Sequence, residues 1–269
     1  MPAVSAVQVV AHRGASAEHA EHTLAAYERA IAEGADALEC DVRLTRDGVL
    51  VCVHDRRVDR TSDGRGVVST LELAELAELD FASWKERGSD PLLEASWDEP
   101  DRDRTRVLTL ERLLQLTLDA SHPVQLHIET KHPTRYGALV ERTLTDLLER
   151  YGVASPLTRS VSQVTVMSFA VTSLRRVHAM APVLPTVYLM QRIPVRYRDG
   201  GLPAQVSAAG PSLGLLRSDP GYVERVQARG GRVHVWTVDE VADIEFALGL
   251  GVDAVISNHP RRVLRHLGR

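Results

Sequence analysis

The stretch DALECDV, residues 36–42, places Glu39 and Asp41 two positions apart in an apolar run. On a β-strand that spacing sends both carboxylates to one face and Leu38, Cys40 and Val42 to the other. Adjacent buried carboxylates repel and take up protons, and a hard divalent cation bound through oxygen removes that cost. HIETK, residues 127–131, repeats the pattern: His127, Glu129 and Lys131 share one face, so Glu129 supplies a third carboxylate. An all-oxygen donor set calls for one divalent ion, Mg²⁺ or Ca²⁺, among Glu39, Asp41 and Glu129. Glu21 is a fourth, outer participant. His12 and Arg13 follow another apolar run, VQVVA, where strand stability needs neither imidazole nor guanidinium.

The segment RLTRDGVLVCVHD follows with no room for a helix, and Asp47-Gly48 between apolar runs signals a hairpin. A two-residue turn sets Arg46 against Val49 and Asp41 against His54, which puts His54 beside the carboxylates. The same register sends Cys40 and Cys52 to opposite faces. Each motif alone has a structural explanation: ExD pairs are often salt-bridged, and strand-ending histidines are usually just hydrogen-bonded. Their convergence at strand ends carries the functional reading. Lys131 is one of two lysines in an arginine-rich chain, and its compact charge suits such a site. Trp236 either lines a pocket or packs. His19, His22, His122, His132, His178 and His234 read as loop or surface residues.

The elements that position these groups alternate. Strands are expected at 7–12, 36–42, 125–131, 164–169, 184–190, 211–216, 233–238 and 253–258. Helical patterns such as EHTLAAYERAIAEG and VDEVADIEFALGLG lie between most of them and end on Gly. Continuous apolar strands suit burial on both faces. Eight such units point to a (β/α)8 TIM barrel with its site at the C-terminal strand ends. A doubly wound sheet is the runner-up, but no GxGxxG follows the first strand. The chain reads as one domain, 1–269, with an insertion at 55–106 after the hairpin. A helix is expected near STLELAELAEL, and the polar, charge-mixed stretch 82–106 is expected to shape access to the site without joining in proton transfer or metal binding.

Composition narrows the classes. The 269 residues are 44% apolar, so a large core is possible. A net charge of -4 argues against general nucleic-acid binding. Two cysteines do not make a disulfide framework. No apolar run approaches a membrane span. The N-terminus has no basic region before its apolar run, so a cytoplasmic location is expected.

Taken together, HRG, the block from Glu21 to Asp55, Arg60-Thr61, IETK, VWTVD and GVDAVISNHP resemble the glycerophosphodiester phosphodiesterase family over nearly the whole chain. The resemblance implies a (β/α)8 barrel with a small insertion, a divalent metal, and hydrolysis of a small-molecule glycerophosphodiester to glycerol 3-phosphate and an alcohol. It makes His12 and His54 the general acid and base, Glu39, Asp41 and Glu129 the metal ligands, and Arg13 and Lys131 phosphate contacts; Trp236 joins them as a substrate residue. Three departures stand out. Ala20-Glu21-His22-Thr23 replaces the family's usual Pro-Glu-Asn-Thr, SNHP replaces a usual Thr-Asp pair, and 85–106 is longer than usual. They bear on substrate choice more than on chemistry. A lysophospholipase D would need an apolar groove, to which Met167 and Phe169 could contribute. A non-catalytic phosphoester-binding barrel would have no need of two histidines. Neither the head group nor the oligomeric state is legible, nor whether water or the glycerol hydroxyl attacks first.

Overall fold

The computed structural model of the protein describes residues 7–86 and 105–269. The strands are β1 (Gln8–His12), β2 (Ala37–Leu44), β3 (Leu50–Cys52), β4 (Gln125–Thr130), β5 (Val164–Ser168), β6 (Thr186–Met190), β7 (Ala208–Pro211), β8 (Arg232–Val235) and β9 (Ala254–Ser257). All but β3 run parallel, and β1 pairs with both β2 and β9, which closes the barrel. β3 lies antiparallel against β2 as a hairpin arm. The described helices are α1 (Leu24–Ala32), α2 (Leu73–Ala77), α3 (Ser83–Glu86), α4 (Leu110–Leu118), α5 (Leu139–Arg150), α6 (Val171–Met180), α7 (Leu213–Ser218), α8 (Tyr222–Ala228), α9 (Val241–Gly249) and α10 (Pro260–His266). This is the expected (β/α)8 barrel, and no described helix is long and apolar enough to cross a membrane.

The alternation of faces follows the sequence. Leu38, Cys40 and Val42 of β2 pack with Leu126 and Ile128 of β4 against the helix layer. Full burial of such an aliphatic side chain is worth roughly 1.5–3 kcal/mol. The opposite faces fill the lumen, where Val10, Ala37, Met167, Val187, Ala208 and Ala254 cluster. Glu39 and Asp41 therefore point inward, as their spacing predicts. The helix expected near STLELAELAEL is a 3₁₀ turn, Val68–Thr70, followed by α2. Glu72 and Glu75 cap α2 reciprocally. Of the stretch 82–106, residues 87–104 lie outside the described residues.

Three expectations are corrected. The strand expected at 211–216 is the short β7 followed by α7; Ser212 caps α7 by accepting from the Leu215 N–H at 3.3 Å. AAGP has no β-branched or aromatic residue, so it carries little strand signal. The hairpin loop has three residues, not two: Thr45 N–H bonds the Val49 carbonyl at 2.9 Å, and Gly48 takes φ +87°. Val42 thus pairs with Cys52, and Asp41 is opposite Val53 instead of His54. With that one-residue shift Cys40 and Cys52 share a face, both buried and both free thiols.

The turn after β1 brings the HRG segment over the barrel mouth. Gly14 has φ +82°, and a Cβ there would stand 2.6 Å from the Ala26 carbonyl carbon of α1. We predict that Gly14→Ala destabilises the fold by more than the roughly 1–3 kcal/mol of the backbone conformation alone, because α1 must also move. Urea denaturation read by far-UV dichroism checks this; an unchanged midpoint would refute it.

Candidate active site

The C-terminal ends of β1, β2, β4 and β8 deliver the expected residues to one place. A cavity of about 250 Å³ is lined by His12, Arg13, Glu39, His54, Glu129, Lys131 and Trp236, with Met167, Phe169 and Leu189 as an apolar wall. Parallel register explains the carboxylates, since Asp41 of β2 stands beside Glu129 of β4. Glu39, Asp41 and Glu129 are all buried, and each offers one oxygen within 4.8 Å of the others. Lys131 Nζ bridges them, 3.1 Å from Asp41 Oδ1 and 2.9 Å from Glu129 Oε1. The Arg13 backbone N–H donates to Glu39 Oε2 at 3.0 Å. Arg13 Nε lies 3.0 Å from Asp41 Oδ2, a charge contact whose N–H is out of line for a hydrogen bond.

Burial and the neighbouring Asp41 charge push Glu39 well above the ordinary carboxylate range, and the same two causes raise Glu129 to about 8. Asp41 goes the other way: burial opposes its ionisation, but the hydrogen bond with His22 and the charges of Lys131 and Arg13 hold it well below its usual value. Three buried carboxylates that cannot all ionise together are a donor set that fits a hard divalent cation.

The two histidines reach the cavity differently. His12 ends β1, and its Nδ1 lies 2.7 Å from Asn258 Oδ1. The Asn258 amide group donates to Asp239 Oδ2 at 2.7 Å, so its oxygen faces His12 and the imidazole carries its proton on Nδ1. Nε2 is left facing Glu39, 3.9 Å away. Burial, then the Arg13 charge, lowers the His12 pKa to about 4. His54 arrives after β3 has left the ladder, which is how it gains the site despite the shifted register. The Arg43 guanidinium donates twice to the His54 carbonyl, at 3.0 and 2.7 Å, and fixes that turn. His54 Nδ1 sits 2.7 Å from Asp55 Oδ1. Trp236 donates from Nε1 to the Gly210 carbonyl at 2.7 Å and meets Phe169 edge-to-face at 5.4 Å, so it lines the cavity and packs as well.

Sequence reasoning missed several neighbours. His22, read as a loop or surface residue, is 5% exposed, with Nε2 3.0 Å from Asp41 and Nδ1 2.8 Å from the Tyr27 hydroxyl. Its place in the substituted tetrapeptide 20–23 was the available signal. His234, grouped with it, is buried in the lumen. Asn258, Asp239 and Arg43 act through backbone and hydrogen-bond geometry that no spacing rule reveals. Glu21 is paired with Arg13 at 3.1 Å and with Arg60 at 2.7 Å, one ion pair removed from Asp41.

A model of the glycerophosphoryl diester phosphodiesterase family matches residues 12–262. A probable glycerophosphodiester phosphodiesterase 1 of Mycobacterium tuberculosis is 49% identical over 258 residues, covering 94% of this chain and 90% of the relative. A glycerophosphodiester phosphodiesterase of Bacillus subtilis is 31% identical over 258 residues, covering 94% of this chain and 84% of the relative. In fold, the chain is similar to an Oleispira antarctica phosphodiesterase solved in complex with the product sn-glycerol-3-phosphate, with a TM-score of 0.83 at 24% identity and 97% of each chain covered. With family motif, relatives and fold in agreement over nearly its whole length, the chain belongs to the glycerophosphodiester phosphodiesterase family.

Proposed function

We propose that the protein hydrolyses small glycerophosphodiesters to glycerol 3-phosphate and an alcohol, dependent on one divalent cation and with His12 and His54 as base and acid. The observation that carries this reading is the meeting of two imidazoles with Glu39 and Glu129 in one cavity, where Asp41 lies close enough to both to complete a donor set of three buried carboxylates. Held by Glu39, Asp41 and Glu129, Mg²⁺ or Ca²⁺ would neutralise charge on the phosphoryl oxygens. Arg13 and Lys131 add fixed positive charge beside the phosphate. His12, with its proton on Nδ1, takes a proton at Nε2 from the attacking hydroxyl as the new P–O bond forms. His54, backed by the Asp55 carboxylate, delivers a proton to the departing alkoxide as the old P–O bond breaks. The product held by the Oleispira fold neighbour supports the glycerol 3-phosphate assignment. In this reading the chain is one domain with 55–106 inserted after the hairpin. The start of that insertion supports a role in access: Lys85 donates to the Ser16 carbonyl of the β1–α1 turn, and Arg60 lies over Trp84 at 6.0 Å.

A lysophospholipase D reading draws on the apolar wall and on a 27% identical mouse lysophospholipase D. The 250 Å³ cavity leaves little length for an acyl chain, which favours the smaller diester. Turnover of glycerophosphocholine and of lysophosphatidylcholine, each with and without chelator, separates the readings. Chelator-resistant turnover would remove the metal.

Two further outcomes follow from the same geometry. His12→Ala and His54→Ala are each expected to lower turnover roughly a hundred- to ten-thousand-fold with the melting temperature retained; near-normal activity of either removes its role. Metal-free protein should also lose stability as pH rises. Glu129, ordinarily near 4.5, is raised to about 8 in the fold by burial and Asp41. Between those values the folded state binds more protons than the unfolded state, so unfolding free energy falls with pH. A melting temperature that drops from about pH 4.5 to 8 without metal, and flattens when Mg²⁺ or Ca²⁺ is added, is expected. Glu129→Gln should flatten the slope without metal; a slope unchanged by Glu129→Gln would contradict the assignment.

A further inference from the structure

A phosphodiester has two alcohol arms, and the cavity at the carboxylates offers an apolar wall to one of them. Lys131 lines this cavity and also a second one of about 510 Å³. The second cavity runs between the loop after β4 and the turn before α2. Its wall is fixed where the Tyr136 hydroxyl donates to the Ser69 carbonyl at 2.6 Å. Among the described residues, Arg43, Arg56 and Arg135 line it besides Lys131, and no aspartate or glutamate does. Arg43 spends its described hydrogen bonds on the neutral His54 carbonyl. Arg135 lies over the Tyr136 ring at 5.9 Å. Among the described residues none of these three arginines has a carboxylate within salt-bridge distance, whereas Lys131 is already held by Asp41 and Glu129. In a chain of net charge -4, a groove whose described lining holds three arginines, Lys131 and no carboxylate is a local cluster of positive charge.

Resting on the hydrolytic reading above, we propose that this groove receives the second alcohol arm, and that it selects diesters whose alcohol carries an anionic group of its own, a phosphate or a carboxylate. The reacting phosphate sits on the near side of Lys131, and the arm passes Lys131 into the groove. There the guanidiniums of Arg56 and Arg135 meet the terminal oxyanion, with the Ser69 hydroxyl as a neutral partner. A choline or ethanolamine arm brings a cation into the same field and is disfavoured.

The test compares glycerophosphoglycerol, the same compound with a terminal phosphate, glycerophosphoglycerate, whose arm bears a carboxylate and no ammonium, and glycerophosphocholine. The terminally phosphorylated substrate should show a kcat/KM about tenfold above glycerophosphoglycerol, one decade being about 1.4 kcal/mol, mainly through KM and shrinking as salt rises. A similar gain for glycerophosphoglycerate assigns the groove to anions generally; a gain for the phosphate alone assigns it to phosphate. Arg56→Gln combined with Arg135→Gln should remove the preference and leave glycerophosphoglycerol turnover unchanged, since both side chains are exposed and outside the catalytic cavity. Equal kcat/KM for charged and neutral alcohols, or a preference that survives in the double variant, overturns the proposal. If no diester is turned over, the hydrolytic reading fails on its own. The groove is then judged by calorimetric titration of the same four compounds, where equal affinities overturn it.

Discussion

Burying three carboxylates within reach of one another is the constraint on which the rest of the structure depends. In an apolar surround such a cluster costs more than any single hydrogen bond returns. The fold answers with fixed donors: the Arg13 backbone amide on Glu39, Lys131 between Asp41 and Glu129, and His22 on Asp41. Two of these donors are anchored in turn. Glu21, itself paired with Arg60, holds the Arg13 side chain, and the Tyr27 hydroxyl both meets His22 and donates to the Glu39 carbonyl at 3.0 Å. Arg13 and His22 take φ of 57° and 63°, conformations costly outside glycine. Strain at two of the residues that serve the carboxylates indicates that the turn is shaped by the site and not by chain stability.

Below this layer the two described lumen histidines carry no charge. His127 and His234 stack at 5.5 Å, and burial lowers them to about 3 and about 4, so both are neutral at ordinary pH. Small inward residues, Ala37, Ala208 and Ala254, leave the width these rings require. Glu39 and Glu129 therefore sit on an uncharged floor, and every compensating cation must come from above, at the loop ends. That one-sidedness leaves Lys131 and Arg13 where an incoming phosphate would meet them.

Much of this was legible because two periodicities are hard to disguise. Alternation within DALECDV and HIETK identified the inward carboxylates, and apolar runs between helical patterns identified most of the barrel. What failed were features decided by less than one turn of chain. A three-residue hairpin loop shifted the β2–β3 register by one, although His54 still reached the site by leaving the ladder. β7 is built of Ala, Gly and Pro, so the apolar signal moved to the following helix. His22, Asn258 and Asp239 act through tertiary geometry, and a histidine in a loop has the same local signature whether it is bare or bound to an aspartate.

The departures from the family pattern become coherent once these contacts are known. Where a Thr-Asp pair is usual, Ser257 and Asn258 stand, so the group facing His12 is a neutral amide. The negative charge lies one residue further back, on Asp239, which accepts from the Ser257 hydroxyl and from the Asn258 backbone and side-chain N–H groups at 2.7–3.0 Å. A carboxylate in direct contact would favour imidazolium. The amide instead fixes the proton on Nδ1 without supplying a charge that would hold a second proton on Nε2. At the other departure, His22 replaces asparagine and adds a basic group beside Asp41, the carboxylate that stays ionised. One change removes negative charge near the proposed base, and the other strengthens the hold on ionised Asp41. Both act on the same balance: which of the groups above the barrel carry a proton before substrate arrives.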